Sequence, residues 1–110
     1  MEINFRERDR DGHLICPLKV LRETLGWTQK DLEWKMGYKS SGSYFGYLEQ
    51  GRKPMNRPLA RKIAETFDFD VRDFMEATYE WEQEAIKLAE ERMGEQVERI
   101  PNYRNGEKPE

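Results

Sequence analysis

Apolar residues recur at helical spacing in short segments separated by glycine or proline. Pro17 opens the first, since in the first turn of a helix it gives up only an N–H that has no partner there. Leu18, Leu21 and Leu25 follow at i, i+3 and i+7, and Gly26 ends the segment. Thr28 is placed to cap a second helix, with Leu32 and Met36 one turn apart and Gly37 closing it. Ser40 or Ser41 caps a third, which turns Phe45 and Leu48 inward and stops at Gly51. Pro58 opens a fourth with Leu59, Ile63 and Phe67, and Phe69-Asp70-Val71 leads into a fifth that holds Val71, Phe74 and Met75. Trp27, Tyr38, Phe67, Phe69 and Phe74 follow the apolar period and are assigned to the core. Corners this close together leave hardly any room for strands, so the pattern predicts an all-α bundle.

Two flanks lie outside that pattern. In residues 1–16, Ile3-Asn4-Phe5-Arg6-Glu7-Arg8 and His13-Leu14-Ile15-Cys16 surround a polar turn ending in Gly12, which reads as a two-stranded hairpin. Arg6, Arg8 and Arg10 on alternate positions fit a basic arm equally well, although Glu7, Asp9 and Asp11 nearly cancel their charge. Beyond Ala77 the chain turns to Glu, Gln, Lys and Ala. There Trp81, Ala85 and Leu88 form one stripe, and Ile86, Ala89, Met93, Val97 and Ile100 an adjoining one. That predicts a long amphipathic helix over 77–100, weakened at Gly94 and stopped by Pro101, before a polar tail over 101–110. The expected organisation is an N-terminal arm or hairpin (1–16), a five-helix domain (17–76), the terminal helix and the tail.

Composition narrows the function. Of 110 residues, 36% are hydrophobic and 37% charged, so one small core is expected rather than two domains. No apolar run is long enough to span a membrane and the charged start lacks the apolar stretch of a secretion signal, which points to the cytoplasm. One cysteine, Cys16, and one histidine, His13, exclude an internal disulfide and give two soft ligands where structural zinc takes four; no metal or other cofactor is expected. Glu80, Glu82 and Glu84 project from one helix with no base beside them, so catalysis is not expected either.

The net charge of −3 conceals a division along the chain. Residues 17–62 hold ten basic and four acidic side chains, net +6; residues 63–110 hold six basic and fourteen acidic, net −8. A basic module therefore precedes an acidic segment.

Within the basic module, Thr28-Gln29-Lys30-Asp31-Leu32, Gly37, Phe45 and Leu48-Glu49-Gln50-Gly51-Arg52-Lys53-Pro54 stand at spacings that resemble the helix-turn-helix family of the phage Cro and cI repressors, the Xre family. The resemblance runs from about Pro17 to Met75 and is supported by Leu21-Arg22 with Gly26-Trp27 and by Lys62-Ile63-Ala64 with Phe69-Asp70-Val71. It implies a lambda-repressor-like fold of five helices whose third enters the major groove of double-stranded DNA. It also implies base contacts from Ser41, Gly42, Ser43, Tyr44 and Tyr47, and phosphate contacts from Gln29, Lys39, Arg52, Lys53, Asn56 and Arg57. Arg22 and Glu49 match family positions that pair inside the domain. Tyr38 to Tyr44 is a longer stretch than in the shortest family members, and the turn or the start of the third helix has to absorb it.

The residues support that direction on their own terms. With Phe45 and Leu48 inward, Ser43, Gly46, Tyr47 and Gln50 are expected on the outer face of the third helix. Hydroxyls and an amide suit base edges, and tyrosine can cover a thymine methyl. The expected function is a DNA-binding transcription regulator, a repressor acting as a homodimer, with Trp81, Leu88 and Met93 in the dimer interface. Packing of the terminal helix on its own domain, or on a separate protein partner, is the other outcome for a helix that cannot stay alone in water. An antitoxin that holds a toxin through that helix, or an interaction module without DNA binding, are the alternative functions.

Overall fold

Among the described residues there are five helices: α1 (Pro17–Leu25), α2 (Gln29–Lys35), α3 (Tyr44–Gln50), α4 (Arg57–Phe67) and α5 (Val71–Glu98). The computed structural model describes residues 2–38 and 44–98, with side chains described as far as residue 93, and among these residues it has no strand. The fold is the all-α, five-helix arrangement expected, and its corners follow the expected chemistry. Pro17 sits in the first turn of α1, and Gly26, at φ 74°, ends that helix in the left-handed conformation that glycine adopts freely. Thr28 and Asp31 form a reciprocal cap on α2: the Thr28 hydroxyl accepts from the Asp31 N–H at 3.1 Å, and the Asp31 carboxylate accepts from the Thr28 N–H at 2.8 Å. Those bonds hold the Asp31 carboxyl below the usual range. Asn56 caps α4 by accepting from the Leu59 N–H at 2.8 Å.

The expected fifth and terminal helices are one element. Between Val71 and Met93 there is no glycine or proline, and Phe74, Ala77 and Thr78 carry a buried face straight through the point where the composition changes. Thr78 donates its hydroxyl to the Phe74 carbonyl at 2.8 Å, so even the polar residue on that face is satisfied within the helix.

Phe45, Phe74, Leu18, Leu21, Leu32, Met36 and Ile63 are the large side chains of the centre. Trp27, Tyr38, Phe67 and Phe69 are half-buried around them; Trp27 meets Phe67 edge-on at 5.5 Å. The N-terminal segment completes the core. Arg8 and Leu14 form an antiparallel bridge, Asp9 donates to the His13 carbonyl at 2.8 Å and Ile15 to the Glu7 carbonyl at 3.0 Å. Phe5 then inserts against Phe69 and Phe74. Arg6 reaches Asp73 at 2.7 Å and Glu80 at 3.0 Å, and Arg8 reaches Glu84 at 3.4 Å. These guanidinium groups are thus engaged by α5 and do not form a free basic arm.

Candidate nucleic-acid interface

A seven-residue helix has too few internal hydrogen bonds to hold itself, so α3 must be fixed from outside. Phe45 and Leu48 anchor its inner face in the core. At its C-terminal end, Arg22 of α1 grips Glu49 with two bonds, Nε to Oε2 at 2.8 Å and Nη2 to Oε1 at 3.1 Å. A third bond takes Arg22 Nη1 to the Trp27 carbonyl at 3.1 Å. The Glu49 side chain is only 5% exposed, and the bidentate pairing raises the guanidinium pKa above its ordinary value. Gln29, the first residue of α2, donates its side-chain amide to Glu49 Oε1 at 3.1 Å. One carboxylate therefore ties α1, α2 and α3 together.

The other end of α3 is held by a residue that sequence reasoning missed. Glu33 of α2 is 6% exposed, and its carboxylate accepts the Phe45 N–H at 3.3 Å. Phe45 lies in the first turn of α3, where backbone N–H groups lack partners within the helix. The available signal was its position beside Leu32 and one turn before Met36, on the inward side of α2. Lys62, which entered the sequence reading only in the basic count and the family motif, donates its ammonium to the Met36 carbonyl at 2.9 Å and closes the end of α2.

With both ends fixed, α3 exposes Tyr47 and Gln50. Gly46 does not join them. It is buried, and a Cβ there would lie 3.2 Å from Gln29 Oε1, so the absent side chain gives α2 room to cross α3. The expected outer face is corrected at that position. Tyr44 is half-buried, its ring stacked on Tyr38 at 5.6 Å and edge-on to Phe45 at 5.9 Å. Ser41, Gly42, Ser43 and Lys39 lie outside the described residues.

Basic groups flank this face. Gly51, at φ 78°, ends α3 and turns the chain so that Arg52 lies over the Tyr47 ring, 5.3 Å from its centroid. Lys30, Lys53 and Arg57 are exposed as well. Among the residues expected at phosphates, Gln29 has its amide nitrogen committed to Glu49, and Asn56 has its side-chain oxygen committed to the α4 cap. Trp81, Leu88 and Met93 do not share one face: the Trp81 ring packs inward, 3.4 Å from where a Cβ on Gly51 would stand, whereas Met93 is exposed.

Two successive short helices, the second locked across the first and presenting a polar face with cations beside it, form a helix-turn-helix unit. A family model described as a helix-turn-helix domain matches residues 16–76, and the chain belongs to that family. No curated protein and no solved structure is matched. Among the described residues, no helix is long and apolar enough to cross a membrane, and no group of three or more His, Cys, Asp or Glu could hold a metal ion.

Proposed function

We propose that the protein is a cytoplasmic, sequence-specific regulator of transcription of the Cro and cI (Xre) type, a repressor that binds double-stranded DNA as a homodimer with α3 in the major groove. One observation carries this reading: the outward face of α3, Tyr47 with Gln50, is held at both ends and has Arg52, Lys53 and Arg57 beside it. Fixed polar groups are what base-edge recognition requires, and the cations serve the phosphates on either side. Tyr47 reads bases in this account, together with Tyr44, the first residue of α3, and Ser41, Gly42 and Ser43, which precede it in sequence; Lys39, Arg52, Lys53 and Arg57 grip the backbone. Repression requires only that the site be occupied.

Selection of bound sequences from random duplex DNA, followed by a salt titration on the enriched site, tests the proposal. The expected site is two-fold symmetric, with half-sites about one helical turn apart. Affinity should fall with salt at a log–log slope of about −0.9 per phosphate contact. No enrichment together with a slope near zero would replace this reading by an interaction module without DNA binding.

A further inference from the structure

The outer face of α5 carries an exposed apolar row, with Gln83 and Glu90 between its members, that is continuous with a groove. Tyr79, Ile86 and Met93 stand at i, i+7 and i+14 with exposures of 61%, 49% and 53%. At 3.6 residues per turn they lie within about 40° of one another, more than about 120° around the helix from Trp81 and Leu88. Towards the domain the stripe runs into a cavity of about 700 Å³ between α4 and α5, floored by Val71, Met75 and Tyr79 and rimmed by Arg57, Arg61 and Arg72 together with Glu76 and Glu80. Among the described residues, none of these three guanidinium groups has an ion-pair partner, while Arg6 takes up Asp73, Glu76 and Glu80.

We infer that the occupant of this groove is the distal half of α5 from a second copy of the chain, packed antiparallel. Charge selects that occupant: residues 82–98 contain six acidic and two basic side chains, and Glu90 lies on the outer face between Ile86 and Met93. Spacing selects the register. Met75, Tyr79, Ile86 and Met93 step by four, seven and seven, and with Glu82 and Ala89 at the intervening positions they complete the four-and-three alternation of a helix–helix seam. Reversing one copy about a two-fold axis near Glu84 sets Met93 on the partner's Met75, Ala89 on its Tyr79 and Glu90 beside its Arg61. A second copy in parallel would instead set acidic half against acidic half and leave both grooves empty. The inference rests on the homodimer in the proposed function and moves its interface from the Trp81 side of α5 to the Tyr79 side.

Light scattering and sedimentation on the full chain, without DNA, test the interface. The expected result is a dimer that Ile86→Asp weakens at least a hundredfold. Arg61→Glu should weaken it at high concentration, and Glu90→Arg added to Arg61→Glu should restore it; circular dichroism checks that each variant is helical. A mixture of Met75→Cys and Met93→Cys chains should give a cross-linked heterodimer on oxidation, with little product from Met93→Cys alone. A dimer insensitive to Ile86→Asp, or efficient self-cross-linking of Met93→Cys, would overturn this inference and leave the homodimer itself standing. A wild-type chain that stays monomeric would overturn both, whereas salt-sensitive binding to a single half-site duplex would still support DNA recognition.

Discussion

The Arg52 guanidinium lies over the Tyr47 ring, 5.3 Å from its centroid, and this couples a residue proposed to grip phosphate to one proposed to read bases. Neither is then independent of the other. Tyr47→Ala should relax preference at one base pair, at a cost of about 1–3 kcal/mol there. Arg52→Ala should weaken all duplexes and also blur that same position, because the ring loses the cation that orients it. A double-mutant cycle on an enriched duplex should give a coupling of about 0.5–1 kcal/mol, the range for an exposed cation–π pair. Strictly additive effects would separate the two roles.

Breaking the Arg22–Glu49 pair should harm both stability and binding. Glu49→Ala leaves a guanidinium that is 15% exposed with only the Trp27 carbonyl, and it releases Gln29 as well. The expected loss is about 3 kcal/mol, the lower end of the range for a buried pair deprived of one partner. Urea unfolding measures it. Arg22→Ala and Glu49→Ala combined should cost less than the sum of the two alone, since neither charge is then left without its partner.

The five helices were legible because Gly26, Gly37, Gly51, Pro17 and Pro58 mark corners that local chemistry dictates. The run from Val71 to Glu98 as one helix was not, because composition shifts at Ala77 while helical phase does not, and phase is what a helix obeys. The site divided in the same way. The outward position of Tyr47 followed from the phase of Phe45 and Leu48, and the Arg22–Glu49 pair from the family resemblance. Gly46 could not be assigned, because in a helix of two turns it stands at the edge of the buried face and the crossing of Gln29 decides its side. Glu33 and Lys62 are charged side chains serving backbone groups on other helices, and a charge count along the sequence carries no such information.

Cys16 provides a pH test of packing. Its thiol is buried 3.8 Å from the Leu48 carbonyl, and burial pushes its pKa up to about 12. An unfolded thiol ionises near pH ~8.5, so below that both states keep the proton. Between there and pH 12 the unfolded chain releases the proton and the folded chain retains it, so stability falls as pH rises. Urea unfolding at about pH 7 and pH 10 should show a larger loss in the native protein than in Cys16→Ala, in which this titration is absent. Alkylation of Cys16 at about pH 8 should proceed no faster than unfolding exposes it.

Glu33 separates positioning from contact. Its carboxylate is buried between α2 and α3 and meets the Phe45 N–H rather than solvent, so any effect on DNA has to pass through the orientation of α3. Glu33→Ala removes the acceptor and leaves the Phe45 N–H buried in the core without it, at an expected cost of about 1–3 kcal/mol. It also removes a negative charge from the N-terminal end of α3, where the helix dipole favours one. Glu33→Gln keeps an acceptor oxygen on a side chain of nearly the same shape and should recover most of the stability. If α3 is presented to DNA by this bond, binding to an enriched site should fall in Glu33→Ala and return in Glu33→Gln, while the slope of affinity against salt stays unchanged because no phosphate contact is lost. Stability from urea unfolding and affinity from titration at two salt concentrations decide it: full affinity in folded Glu33→Ala would mean that Arg22, Glu49 and Gln29 suffice to orient the helix.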